Sequence, residues 1–130
     1  MPNDKPMKLH YMILFISFIG IVACRKEETL AGKGGYATLS ITPQHHGLNI
    51  ANSKVYIKYN TKNTPAYYDD SVQTILQNGI PTAVFTELTK GDYYIYGIGI
   101  DTSIMQTVKG GIPYTIETET AQTIYLPVTE

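Results

Sequence analysis

Few side chains in this sequence are of a kind that does chemistry, and their spacing narrows what that chemistry could be. His45 and His46 are adjacent, and imidazole is the commonest ligand for zinc-like ions. On an extended strand, however, neighbouring side chains point to opposite faces, and the third histidine, His10, sits far upstream in an apolar leader. The pair is therefore expected to be solvent-exposed loop histidines, with no metal and no cofactor. Asp69-Asp70, with Asp101 as a third member, could offer oxygen ligands to calcium. The spaced acidic loop of a calcium motif is absent, and a solvated turn accounts for the same residues. No Gly-x-Ser-x-Gly, His-Glu-x-x-His or phosphate-cradling glycine loop occurs. With one cysteine and only that histidine pair beyond the leader, a nucleophile–base pair is hard to assemble. The expectation is a protein that is not an enzyme, with no catalytic residues.

Tyrosine is what the chain has in excess: eleven, against three phenylalanines and no tryptophan. Tyr93-Tyr94-Ile95-Tyr96 follows a strand's alternation, so with Tyr93 inward, Tyr94 and Tyr96 share the opposite face. Tyr56, Tyr67 and Tyr68 are expected near that face. Tyr56, Tyr94 and Tyr96 are thus the candidate binding surface, since a phenol ring offers contact area and a polar tip to a protein or a sugar. Cross-strand pairing on a wet sheet would use the same residues. Nucleic acid is not an expected partner. From Arg25 onward the chain carries eight Lys/Arg against ten Asp/Glu, scattered and without a basic cluster.

The one thiol, Cys24, closes a different pattern. Lys5 and Lys8 precede an almost wholly apolar stretch, 9–23, shorter than the roughly 20 residues that span a bilayer. Basic start, short apolar run and small closing residues are the layout of a secretory signal. Its end, Ile21-Val22-Ala23-Cys24, resembles the bacterial lipobox. That resemblance implies a signal peptide over 1–23, cleavage between Ala23 and Cys24, and diacylglycerol on the Cys24 thiol. The new amino group is then open to acylation as well. An uncleaved membrane anchor ending in a small apolar cysteine is the alternative. A lone cysteine forms no disulfide within its chain, and two or three acyl chains would meet the requirement of stable anchoring for two attachment signals. Lys26-Glu27-Glu28 resembles the signal that sends Bacteroidota lipoproteins to the outer face of the outer membrane, although a charged, solvated linker has the same composition. The expected location is the cell envelope, bound to the outer membrane through the lipid anchor, facing either the exterior or the periplasm.

The elements that would position these residues are strands. After a flexible tether over 24–35, rich in glycine, residues 36–42 and 53–60 alternate, with Leu39, Ile41, Val55 and Ile57 on one side. Residues 43–52 read as a polar connection and 60–70 as the longest irregular segment. A strand comes next at 71–76 with neither face preferred. Asn78-Gly79 predicts a tight hairpin into a return strand over 82–88. Residues 92–101 are apolar on both faces, as in a central strand. Gly110-Gly111 suggests a bulge or tight bend. The strands 113–118 and 121–128 are expected to pair as a hairpin about Glu119-Thr120, with Pro127 at an edge. About seven short strands without a helical period predict an all-β, antiparallel two-sheet sandwich over 36–130. Its expected core is Leu39, Ile41, Val55, Ile57, Phe85, Leu88, Tyr93, Ile95, Ile116, Ile124 and Leu126.

Phe85-Thr86-Glu87-Leu88-Thr89-Lys90-Gly91-Asp92-Tyr93-Tyr94-Ile95 resembles the F-x-x-L-x-x-G-x-Y-x-apolar element of prealbumin-like (transthyretin-like, carboxypeptidase regulatory-like) sandwich domains. The resemblance implies that Leu88 plugs one end of the core, Gly91 makes the turn and Tyr93 enters the next strand facing inward. The unit over 36–128 is also similar to small Bacteroidota lipoproteins of that fold, with Gly91-Asp92-Tyr93-Tyr94-Ile95-Tyr96 and Val108-Lys109-Gly110-Gly111. The function this implies is that of a non-catalytic interaction or accessory module whose partner is an envelope protein or a glycan. The lysine–asparagine crosslink found in some adhesin repeats is not expected, because no acid-bearing strand pair is evident.

Overall fold

The computed structural model describes residues 30–130; the leader, Cys24 and Lys26-Glu27-Glu28 lie outside the described residues. Period-two alternation produces nine strands: β1 (Lys33–His45), β2 (Leu48–Asn49), β3 (Lys54–Tyr59), β4 (Asp70–Gln73), β5 (Ile75–Gln77), β6 (Ile80–Leu88), β7 (Gly91–Asp101), β8 (Gln106–Ile116) and β9 (Ala121–Pro127). They form two sheets. In the first, β1 is flanked on one edge by β6 and, further along that edge, the short β2, and on the other by β9, with β5 outside β6; the second runs β4-β3-β7-β8. The described residues form an all-β sandwich. Among the described residues no helix is long and apolar enough to cross a membrane.

The inward faces are those the alternation marks. Ala37, Leu39 and Ile41 from β1 and Ala83, Phe85 and Leu88 from β6 meet Val55 and Ile57 from β3, Tyr93 and Ile95 from β7, and Val108 and Ile116 from β8. Leu126 completes the expected core, whereas Ile124 is only partly buried against it; Ala31, Ile50 and Val128 are further members. On β6 the step from Phe85 to Leu88 breaks the alternation. Glu87 takes φ 58°, and the β1–β6 register shifts beside it, so a bulge turns Glu87 out and Leu88 in.

Four features differ from the alternation read alone. The sandwich takes in residues expected in the tether: Ala31 is buried and β1 starts at Lys33. The segment 71–76 is two strands, β4 on the second sheet and β5 on the first. The chain crosses at buried Thr74, whose N–H and hydroxyl both bond the Ser53 carbonyl (2.8 and 3.1 Å). Gly110 and Gly111 lie in regular register opposite Gly97 and Tyr96, without a bulge. Their smallness serves close approach: a Cβ on Gly111 would come within 2.6 Å of the Tyr94 hydroxyl. Finally, β9 does not pair with β8 as a hairpin. It crosses to the first sheet and runs parallel to β1, Thr38 facing Ala121 and Gln44 facing Pro127. β8 is already matched to β7 from end to end, and β1 offers a free edge with inward residues in step.

β1, β7 and β9 all run the same way through the sandwich, because β6 is antiparallel to β1, β7 returns from β6, and β9 is parallel to β1. Their starts meet at the end plugged by Leu88 and Tyr93. Their finishes, His45, Asp101 and the residues after Pro127, meet at the other.

Candidate functional site

The outer face of the second sheet holds the tyrosines. Tyr56 on β3 faces Tyr96 on β7 in register, and Lys58 faces Tyr94. The irregular segment between β3 and β4 folds back over them. Tyr68 stacks on Tyr96 with ring centroids 5.7 Å apart and planes 23° apart, and lies 5.4 Å from Tyr56. Asp69 pins the segment by accepting from the Tyr59 N–H (2.7 Å) and from Lys58 Nζ (3.1 Å), while that ammonium also sits 4.0 Å from the Tyr67 ring centroid. Thr64 donates to the Tyr94 hydroxyl (3.2 Å). The expected side of the sheet is therefore right for Tyr56, Tyr94 and Tyr96. They are half-buried against one another, however, and only Tyr67 of this group is broadly exposed. Burial raises the Tyr68 phenol above its ordinary range, with Tyr94 and Tyr96 adding to the effect. A shallow depression of about 350 Å³ opens between Tyr56, Tyr68, Asp69, Asp70 and Ser71.

Asp101 does not join Asp69 and Asp70. Asp70 faces Ile57, which faces Ile95, whereas Asp101 ends β7 six residues further on. The residues 69, 70 and 101 are thus not one calcium loop.

Asp101 instead meets His45, and here the reading of His45-His46 as loop residues is corrected for one of the two. His45 continues the inward alternation of β1 beyond Ile41 and is 3% exposed; Asp101 continues that of β7 and is 5% exposed. His45 Nδ1 lies 2.8 Å from Asp101 Oδ2, and Asp101 Oδ1 accepts from the Ser103 N–H (2.9 Å) and hydroxyl (2.6 Å). The bond from His45, then that from the Ser103 hydroxyl, hold the Asp101 carboxyl at about 2, outweighing the burial that works the other way. Asp101 thus stays an acceptor, and Nδ1 carries the proton. The order Ser103–Asp101–His45 puts the carboxylate between hydroxyl and imidazole, so this is not a hydrolytic triad, in which the imidazole must touch the hydroxyl.

His46 opens a two-residue turn into β2. Its φ is 49° and that of Gly47 is 77°, with His45 facing Leu48. The left-handed backbone, rather than an extended one, is why His46 does not point away: the two rings lie 4.1 Å apart, edge on. The signal was present in the sequence as His46-Gly47, a weaker relative of Asn78-Gly79, and as the odd-numbered run Leu39, Ile41, Pro43, His45.

Comparison of the chain with protein-family profiles, with curated proteins and with solved structures finds no match.

Proposed function

We propose that this chain is a non-catalytic lipoprotein of the bacterial cell envelope, held to the outer membrane by lipid on Cys24, that works as a protein-interaction module. The observation that carries the interaction reading is the β5–β6 hairpin. β5 is the outermost strand of the first sheet, and Ile75, Leu76 and Ile80 on this hairpin are 62%, 68% and 41% exposed. Native sheets generally blunt such edges with charge, proline or cover. An apolar, uncharged edge is suited to accept an extended segment of a partner as an added strand, backbone bonds supplying affinity and side chains selectivity. The prealbumin-like reading is supported by Leu88, Gly91 and Tyr93, each of which does what the resemblance implies: plug, turn and inward entry.

A photo-crosslinking residue at Gln77, in cells, is expected to capture one discrete envelope protein, and Leu76→Lys to abolish that adduct with the fold intact by circular dichroism. An adduct indifferent to Leu76→Lys, or none along β5, would reject the edge as the contact. Fatty-acid labelling that is equally absent from the natural chain and Cys24→Ala would reject the anchor.

A glycan is the second reading, favoured by one observation: Tyr56 and Tyr68, in ring contact with each other, line a depression with Asp69 and Asp70 on its rim. Aromatic rings flanked by carboxylate acceptors match the apolar faces and hydroxyls of a sugar. It predicts a glycan-dependent rise in Tm that Tyr68→Ala removes.

A further inference from the structure

The end of the sandwich where β1, β7 and β9 finish contains a buried nitrogen whose bonding is incomplete. His45 Nε2 makes no hydrogen bond to any of the described residues, although Glu130 Oε2 stands only 2.9 Å away. Nδ1 of the same ring is engaged as donor to Asp101, so in the neutral imidazole Nε2 is a bare lone pair. A lone pair and a carboxylate oxygen at this separation, out of hydrogen-bonding line, repel unless a positive centre lies between them. Leaving a buried polar atom unmet also costs about 1–3 kcal/mol.

We infer that His45, His46 and Glu130 form a binding site for a divalent transition ion of the zinc class, with Asp101 orienting His45 from behind. Zinc-to-nitrogen and zinc-to-carboxylate bonds are roughly 2.0–2.2 Å long, so two donors of a tetrahedral set lie roughly 3.3–3.5 Å apart. The Nε2–Oε2 separation found, 2.9 Å, is a few tenths of an ångström shorter, a gap that the exposed Glu130 side chain can open by rotating. Donor atoms of all three residues already lie within 4.8 Å of one another. His46 is the exposed member, on a turn, so rotation of its side chain closes the set.

The backbone delivers each donor separately. His45 is held by the β1 alternation and by Asp101. His46 is turned toward it by its positive φ. Glu130 follows Thr129, whose N–H and C=O both bond Lys109 of β8 (2.9 and 2.8 Å), while the Val128 N–H bonds the Gln44 carbonyl (2.9 Å). Asp101 on Nδ1 is the carboxylate–histidine–metal arrangement that fixes the tautomer and strengthens the ligand. Two imidazoles and one carboxylate favour zinc, copper or nickel over calcium or magnesium, which prefer all-oxygen sets. A depression of about 410 Å³, walled by Tyr125, Pro127 and Val128, borders both histidines. It leaves room for a water or a partner's donor as fourth ligand. The site lies away from both the β5 edge and the tyrosine face, so it stands whether or not either of those binds.

The test is titration of the chelator-stripped full chain with Zn²⁺, followed by calorimetry and thermal unfolding, with Ca²⁺ and Mg²⁺ as controls. One equivalent of Zn²⁺ is expected to bind and raise Tm, with His46→Ala and Glu130→Gln each weakening binding at least tenfold. Both residues are exposed, so these variants should stay folded where His45→Ala need not. Cu²⁺ electron paramagnetic resonance should show two coordinated nitrogens, and one in His46→Ala. Absence of stoichiometric Zn²⁺ binding, binding unchanged in both variants, or an equal response to Ca²⁺ would overturn the site.

Discussion

Tyr93 shows how much one side chain can settle. Its ring is fully buried, and its hydroxyl donates to the Thr89 carbonyl (2.6 Å) and accepts from the Gly32 N–H (3.0 Å). The Thr89 N–H in turn donates to the Gly32 carbonyl (2.9 Å). The start of the described chain is thereby tied to the β6–β7 turn, and residues that composition marks as tether become part of the body. Tyr93→Phe keeps the ring but leaves those backbone groups without the hydroxyl, at a cost of about 1–3 kcal/mol. A guanidinium denaturation midpoint that falls accordingly is expected, and an unshifted midpoint would show that the hydroxyl is immaterial. The inward place of Tyr93 was legible only through the resemblance of 85–95 to a known strand-turn-strand element, since alternation left both faces of its strand apolar. Its partner Gly32 was not, since it lies 61 residues away in the chain.

Among the elements, the β6–β7 connection is the most tightly specified. Gly91 has φ 142°, which side-chain-bearing residues rarely adopt, and a Cβ there would come 2.7 Å from the Ala31 Cβ. Both strain and overlap predict that Gly91→Ala destabilises by about 2–3 kcal/mol, read as a lower urea midpoint. A double variant that adds Ala31→Gly should regain only the overlap part. Full recovery would mean that φ is not the constraint, and no loss would mean that the turn is slack. The Asn78-Gly79 hairpin was legible for the same kind of reason, and it forms with φ 50° and 78°. The passage of 71–76 from one sheet to the other was not legible. Its cause is the pair of hydrogen bonds from Thr74 to the Ser53 carbonyl across 21 residues, and a short strand's own period carries no trace of that.

At the scale of the molecule, phenols are shielded in several places. Burial comes first in raising Tyr59, Tyr68 and Tyr114 above 10.0, with Asp70 and Asp69 adding for Tyr59 and Glu117 for Tyr114. The folded state thus favours the neutral phenol. That contribution is complete below pH 10 and is lost as pH rises through the raised values. Stability should therefore fall in alkali above about pH 10, with part of the tyrosinate absorbance appearing later than the rest. A single titration step shared by all the tyrosines, at constant stability, would contradict this. The same scale separates the two ends of the sandwich: an apolar plug with Tyr93 at one, and His45 with Asp101 at the other.

Period-two alternation, turn residues and the absence of a helical period were enough to determine the fold class, the inward faces of 36–42 and 53–60, the hairpin at Asn78-Gly79 and the sharing of one side of a strand by Tyr94 and Tyr96. These are local consequences of strand geometry, in which each residue's face is set by its neighbour's. Only the tertiary structure decided that β9 runs beside β1, that 71–76 serves both sheets, and that His45 meets Asp101 and Glu130. Those depend on which free edge a strand finds and on where separate strands finish in space, and pairing across 21 residues or more leaves no mark on the spacing within either segment.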